Sequence, residues 1–186
     1  PYGFIGEKEE VSWASSSNIQ GKILYGLAQL ASWSEEPDLL DALRLNADYC
    51  VRIQYPSGRW PHHLEKAPES LCGYDAAWNV AGLLIAWEKL GRGEYLQAAE
   101  RALAAYAAFR RPDGAIVCPC SHATAEEDDL AIRSSITMLT PFALALKLTG
   151  KGEYRRVLGD LGRFLSSRQH DSGVLKEPEN DCVNLI

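Results

Sequence analysis

Two short stretches of this chain gather most of the side chains that can do chemistry. The first runs from Arg59 and Trp60 through His62 and His63 to Asp75 and Trp78. The second runs from Cys118, Cys120 and His122 through Glu126 and Glu127 to Asp128, Asp129 and Arg133. Asp75 is the first carboxylate of an otherwise apolar segment and lies beside Trp78, so partial loss of water there would raise its pKa toward that of a general acid. Asp128 and Asp129 offer the second carboxylate that glycoside hydrolysis requires. Arg59 and Arg133 suit an anionic substrate, and the indoles of Trp60 and Trp78 suit sugar faces or isoprenoid cations. Arg59, Trp60, His62, His63, Trp78 and Arg133 are therefore the candidate substrate contacts. Each has a plainer reading: carboxylates at a helix start answer its dipole, loop charges are solvated, and tryptophans pack in cores.

The run CPCSH places Cys118, Cys120 and His122 close together, a cluster of soft ligands suited to zinc. It supplies three ligands at most, so a fourth would come from elsewhere, with His62 or His63 as donors. The plainer reading is a pair of buried or incidental thiols. The acidic run before Leu130 is either a helix start or a carboxylate group for a cation or a sugar. No cofactor is required by these residues; zinc and calcium are the ions they could take.

The elements that must carry these residues follow from an internal repeat. Residues 49–60 (YCVRIQYPSGRW), 106–117 (YAAFRRPDGAIV) and 164–175 (FLSSRQHDSGVL) share an aromatic residue, a polar residue about five positions later, and a turn closing on Gly58, Gly114 or Gly173. Upstream of each glycine lie two helical segments joined by a hinge: WSEEPD, LGRGEY or TGKGEY. Gly91 and Gly150 suit a helix C-cap of positive φ, and Pro37 suits a first helical turn. The second helix of each pair is amphipathic. The first helices, 17–32, 74–89 and 130–148, are apolar over most of their circumference and call for burial on all sides. The expected fold is all-α: three antiparallel helical hairpins, with repeats at 17–58, 74–114 and 130–173, in a single domain spanning 1–186. Inner helices wrapped by outer ones describe an α/α toroid, of which three hairpins make about half a ring. Short hinges fall at one end and long connections at the other, and the polar candidates cluster in the long connections, where a rigid scaffold builds its cleft.

Composition bounds the partners. A net charge of -6 gives no basic stripe for nucleic acid or an anionic membrane. No apolar run reaches the ~20 residues that a spanning helix needs, so a soluble domain is expected. Five cysteines are too few for a disulfide scaffold, and their odd number fits a reducing, cytoplasmic setting. Cys50 falls on an apolar helix face and reads as core. The chain opens PYGFIG without a methionine, as a trimmed chain or a piece of a longer one does.

At QYPSGRW the sequence resembles the QW motif of terpenoid cyclases and protein prenyltransferases, with Gln54, Gly58, Trp60 and an aromatic Tyr49 in matching places. In that family the motif ties outer helices together and is structural. The second repeat departs from it, with Arg111 where glutamine is expected and Ile116 where tryptophan is expected; the third has Leu175 for tryptophan. The acidic motif of the cyclases is matched only by Glu126 to Asp129, with the wrong first residue. The longer stretch QYPSGRWPHH, followed by GYDAAWNV, is similar to family 10 pectate lyases at Gln54, Tyr55, Pro56, Gly58, Trp60, Pro61, Asp75, Ala77, Asn79 and Val80. Both resemblances imply the α/α-toroid, or six-hairpin, superfamily. The lyase resemblance implies a carbohydrate-active protein, a polysaccharide lyase or glycoside hydrolase acting on an anionic polysaccharide or a smaller substrate. Two further readings stand beside it: an isoprenoid cyclase or transferase, and a non-catalytic helical scaffold or fragment.

Overall fold

A computed structural model describes residues 17–61, 73–118 and 127–171, and every structural statement below refers to these. They form six helices: α1 (Ser17–Trp33), α2 (Pro37–Ile53), α3 (Gly73–Leu90), α4 (Gly93–Ala107), α5 (Glu127–Thr149) and α6 (Gly152–Ser167). Each odd-numbered helix turns back into the next through a hinge of two or three residues, so the six make three antiparallel hairpins. Gly91 and Gly150 end α3 and α5 at φ 69° and 70°, where their N–H groups reach Trp87 O at 2.8 Å and Leu146 O at 2.9 Å. Pro37 opens α2 in its first turn. The hinges are those the sequence predicts.

α3 is the hub. It packs between α1 and α5 in an inner row, and against α2 and α4 outside it. Glycines let α1 and α3 come close: a Cβ on Gly21 would sit 2.8 Å from Asn79 N, and one on Gly82 would sit 2.5 Å from Leu24 Cγ. α3 is buried nearly all round, from Ala76 through Ala86 apart from half-buried Trp78. α1 departs from the expectation of burial on all sides. It buries one stripe (Gly21, Leu24, Ala28, Ala31), while the middle outer helix α4 buries six residues including Tyr95 and Tyr106. Burial therefore follows position along the row as well as inner or outer placement, because end hairpins have a neighbour on one side only.

The three hairpins are joined by a repeated seam between outer helices. After α2 the chain makes a tight turn: Tyr55 N bonds Arg59 O at 2.8 Å and Gly58 N bonds Tyr55 O at 2.9 Å. After α4 the same turn recurs, with Arg111 N on Ala115 O at 2.8 Å and Gly114 N on Arg111 O at 3.0 Å. Gly58 and Gly114 stand at φ 87° and 95°. Gly58 presses on the Arg101 carbonyl of α4, and Gly114 on the Asp160 carbonyl of α6. Gln54 donates to Ala98 O at 2.8 Å and accepts from Arg101 at 2.7 Å. These matching turns correct the repeat alignment: the counterpart of Gln54 is Arg110, which reaches Asp160 at 2.8 Å, whereas Arg111 pairs with its own neighbour Asp113. The counterpart of Trp60 is Ile116, and both are fully buried.

Candidate functional site

Because every inner helix is followed by an antiparallel outer one, α1, α3 and α5 run parallel and begin at the same end of the molecule. The seam turns at Gly58 and Gly114 lie at that end too, since each follows an outer helix. Asp75 is the third residue of α3, and Asp128 and Asp129 are the second and third of α5. The packed pair α3 and α5 thus carries all three positions at one mouth, although their side chains lie outside the described residues. His62, His63, Cys120 and His122 also lie outside them.

One turn into α3, the half-buried ring of Trp78 meets Tyr25 of α1 with centroids 5.3 Å apart and planes tilted by 56°. Among the described residues its indole N–H is buried without an acceptor. An orphaned donor costs free energy in the core, so Trp78 carries an unmet hydrogen bond that packing against Tyr25 does not satisfy. Sequence reading singled out Trp78 and missed Tyr25; an aromatic residue on a helix apolar nearly all round gives no sign of which neighbour it will meet. One turn into α5, Arg133 is half-buried, and its carbonyl accepts from Thr137 Oγ1 at 2.7 Å.

The connection leaving the second seam turn is fastened beneath this mouth by two buried serines of α5. Ile116 N donates to Ser135 Oγ at 3.0 Å and Cys118 N to Ser134 Oγ at 3.1 Å. They satisfy backbone groups that would otherwise be buried unpaired. Cys118 is itself buried, and a Cβ added to Gly73 would lie 3.0 Å from its sulfur and 3.4 Å from that of Met138. This is the packing of a core thiol; any ligand set around it rests on Cys120 and His122. Among the described residues no group of three or more His, Cys, Asp or Glu converges as a metal site.

Trp60 and Arg59 close the first seam turn, at the end of the molecule where α3 and α5 begin. Trp60 is fully buried, and its N–H donates to Cys50 O at 2.8 Å. It pegs the seam turn to the end of α2, the structural use that the QW resemblance implies. The Arg59 guanidinium lies 5.4 Å from the centre of the Phe109 ring, so it stacks on the second connection. Cys50 is core as expected: its sulfur sits 3.3 Å from Asn79 Oδ1, and burial pushes its thiol up to about 12.

A groove of about 690 Å³ lies elsewhere, between α4 and α6 on the outer face. It contains none of the residues singled out by sequence. Three of the charges along it are engaged elsewhere: Arg101 with Gln54, Arg110 with Asp160, and Glu100 with Lys151.

No family model and no curated protein matches the sequence. Solved structures do match in fold. A polysaccharide lyase superposes with a TM-score of 0.70 at 15% identity, over 93% of this chain and 55% of that one. A glycosyl hydrolase of family 88 from Bacteroides vulgatus gives 0.67 at 13%, over 97% and 57%. A cellobiose 2-epimerase from Spirochaeta thermophila gives 0.68 at 12%, over 87% and 48%. The chain spans about half the length of these structures, and at such identities the likeness is one of fold. No described helix is long and apolar enough to cross a membrane. The described chain is all-helical, and its three hairpins are part of an α/α toroid.

Proposed function

We propose that the protein is a carbohydrate-active enzyme, a polysaccharide lyase or glycoside hydrolase, working on an anionic polysaccharide at the mouth where α3 and α5 begin. The observation that carries this reading is the superposition of nearly the whole chain on carbohydrate-processing enzymes, with its candidate carboxylates at the starts of two packed inner helices. Asp75 is the proton donor or acceptor in this reading. In hydrolysis it protonates the leaving glycosidic oxygen while Asp128 or Asp129 activates water or attacks the sugar. In a lyase reaction a base removes the proton beside the uronate carboxylate, the C–O bond at the neighbouring carbon breaks, the departing oxygen takes up a proton, and an unsaturated sugar remains. Arg133 neutralises the uronate and Trp78 packs on a sugar face. A zinc ion at Cys118, Cys120 and His122, or calcium at the acidic start of α5, belongs to the same set of proposals.

The test is incubation of the purified chain with pectin, alginate and glucuronoxylan, reading both unsaturated product by ultraviolet absorbance and new reducing ends. Unsaturated product assigns a lyase, and reducing ends alone assign a hydrolase. Neither signal on any acidic or neutral glycan would remove the enzymatic reading and leave a helical scaffold.

A further inference from the structure

The seam between the second and third hairpins is open where the seam before it is filled. Asp48 of α2 and Ala104 of α4 hold the same place in the repeat, each ten residues before its turn glycine, Gly58 or Gly114. Asp48 reaches across the first seam to Arg92 and Tyr95. The methyl of Ala104 spans nothing, Glu100 one turn earlier takes Lys151 instead, and α4 packs less closely on α6 than on α2. The groove of about 690 Å³ lies over this gap, with a floor that includes Ala104, Ala107, Phe142 and Val157. Its volume falls within the ~300–1,000 Å³ of small-molecule sites. From Gln97 to Ala107 its α4 wall runs about 15 Å, at about 1.5 Å per helical residue.

Charge along the groove is divided by position. At the hinge end Glu100 bonds Lys151, which also faces the charge of Glu153. Beyond them, toward the mouth, stand three guanidiniums. Arg156 on the α6 wall is exposed and has no partner among the described residues. Arg101 bonds the neutral oxygen of Gln54, so among the described residues no carboxylate balances it. Arg110 gives Nη1 to Asp160 at 2.8 Å and keeps the other donors of its fork. With its N-cap, α6 is a basic element in a chain of net charge -6, carrying Lys151, Arg155, Arg156 and Arg163 against Glu153 and Asp160. Guanidiniums beside an apolar floor suit a ligand that is apolar on its faces and carboxylated at its edge. A uronate ring within a glycan chain has that form, whereas an acidic peptide has the charge without the flat apolar face.

We propose that this groove binds a short run of uronate sugars, as a second glycan site apart from the mouth. Ring faces lie on the apolar floor, and the carboxylates meet Arg156 and Arg101 in charge-assisted hydrogen bonds. The Arg110 end of the groove lies at the end of the molecule where α3 and α5 begin, so a polymer held here is kept near the mouth and its effective concentration there rises. The site rests on the reading of this protein as one that handles anionic polysaccharide. It does not rest on Asp75 or on cleavage.

Methyl NMR on the 186-residue chain, titrated with uronate trimers from pectin and from alginate, tests this directly. Methyls of Ala104, Ala107 and Val157 report the groove, and those of α3 and α5 report the mouth. The expected result is saturable shifts at the three groove methyls with at least one uronate trimer, and none with a neutral glucose trimer, inorganic phosphate or triglutamate. Arg156→Glu should weaken that binding by about tenfold or more, the worth of one hydrogen bond between charged groups. Ala104→Asp restores the carboxylate of the first seam, fills the gap and should abolish it. Circular dichroism on both variants verifies that the helices are intact. Groove methyls that respond to no uronate trimer, that respond equally to phosphate or triglutamate, or that still respond in both variants would overturn the proposal. Groove binding without cleavage of any glycan would remove the enzymatic reading and keep this site; cleavage without groove shifts would do the reverse.

Discussion

The hydroxyl of Tyr95 donates a 2.7 Å hydrogen bond to Asp48, whose carboxylate also takes Arg92 at 3.1 Å, so one side chain of the first hairpin fastens two of the second. Glu100 repeats the arrangement one hairpin later, taking Lys151 Nζ at 2.5 Å and the Tyr154 hydroxyl at 3.4 Å. Both tyrosines stand third in their helices and are buried, while their oxygens reach the partner carboxylate.

Removing the carboxylate should therefore cost more than removing the hydroxyl. Asp48→Ala strands a buried phenol and is expected to lose about 1–3 kcal/mol, whereas Tyr95→Phe leaves Asp48 with Arg92 and loses about 1 kcal/mol. Urea midpoints of the two variants and of the double variant measure this. A double variant whose loss equals the sum of the singles would show that the two residues do not interact.

The same tyrosines make the fold sensitive to alkali. Burial first, and then the partner carboxylates, raise Tyr95 and Tyr154 above their ordinary value of 10.0. A raised folded-state pKa means that the stabilisation is complete below the unfolded value and is lost as pH climbs above it. Thermal midpoints should be flat below about pH 10 and fall beyond it. In Tyr95→Phe/Tyr154→Phe the fall should be shallower. Equal slopes would place the alkaline loss elsewhere.

Glycines at the two kinds of turn should respond differently to alanine. Gly91 has φ 69° and open space around it, so Gly91→Ala carries only the left-handed penalty of about 1–2 kcal/mol. At Gly114, φ is 95° and the new Cβ would lie 2.6 Å from Asp160 O, which adds about 1–3 kcal/mol of overpacking. Gly58→Ala should behave like Gly114→Ala. Calorimetric midpoints that rank Gly91→Ala as the worst of the three would refute the docking of these turns on α4 and α6.

Trp60 is assigned to the fold, and the assignment separates stability from activity. Trp60→Ala empties a fully buried indole site and should cost about 3–5 kcal/mol. In Trp60→Phe, KM for any glycan that the wild type cleaves should be unchanged per folded molecule. A KM raised without loss of stability would return Trp60 to the substrate contacts.

Hairpins, hinges and seam turns were legible because each is written locally: the Gly-x-Gly-Glu-Tyr and Gly-Lys-Gly-Glu-Tyr hinges, Pro37, and turns closing on glycine. What could not be read was which residues meet across a repeat. Asp48 and Tyr95 are 47 positions apart, and the periodicity of either helix is silent on the other. The counterpart of Gln54 was misassigned to Arg111, because two adjacent arginines satisfy a loose pattern and only the hydrogen-bonded turn separates them. Sequence leaves Trp60 open between a substrate contact and packing, because an indole beside histidines and arginine looks the same whether it faces a cleft or a helix end; its burial and its bond to Cys50 O show the packing. Asp75 and Trp78 stand one helical turn apart in the sequence of an apolar helix, and α3 carries both positions in its first two turns.

The decisive measurement is glycan cleavage by Asp75→Asn against wild type, with thermal unfolding of both. The amide keeps the carboxylate's shape and removes proton transfer, so cleavage of whichever of pectin, alginate or glucuronoxylan the wild type attacks should fall by about 10²- to 10⁴-fold with the unfolding midpoint unchanged. Equal cleavage by the two proteins would contradict the proposed site and leave Asp75 as a residue that only starts α3.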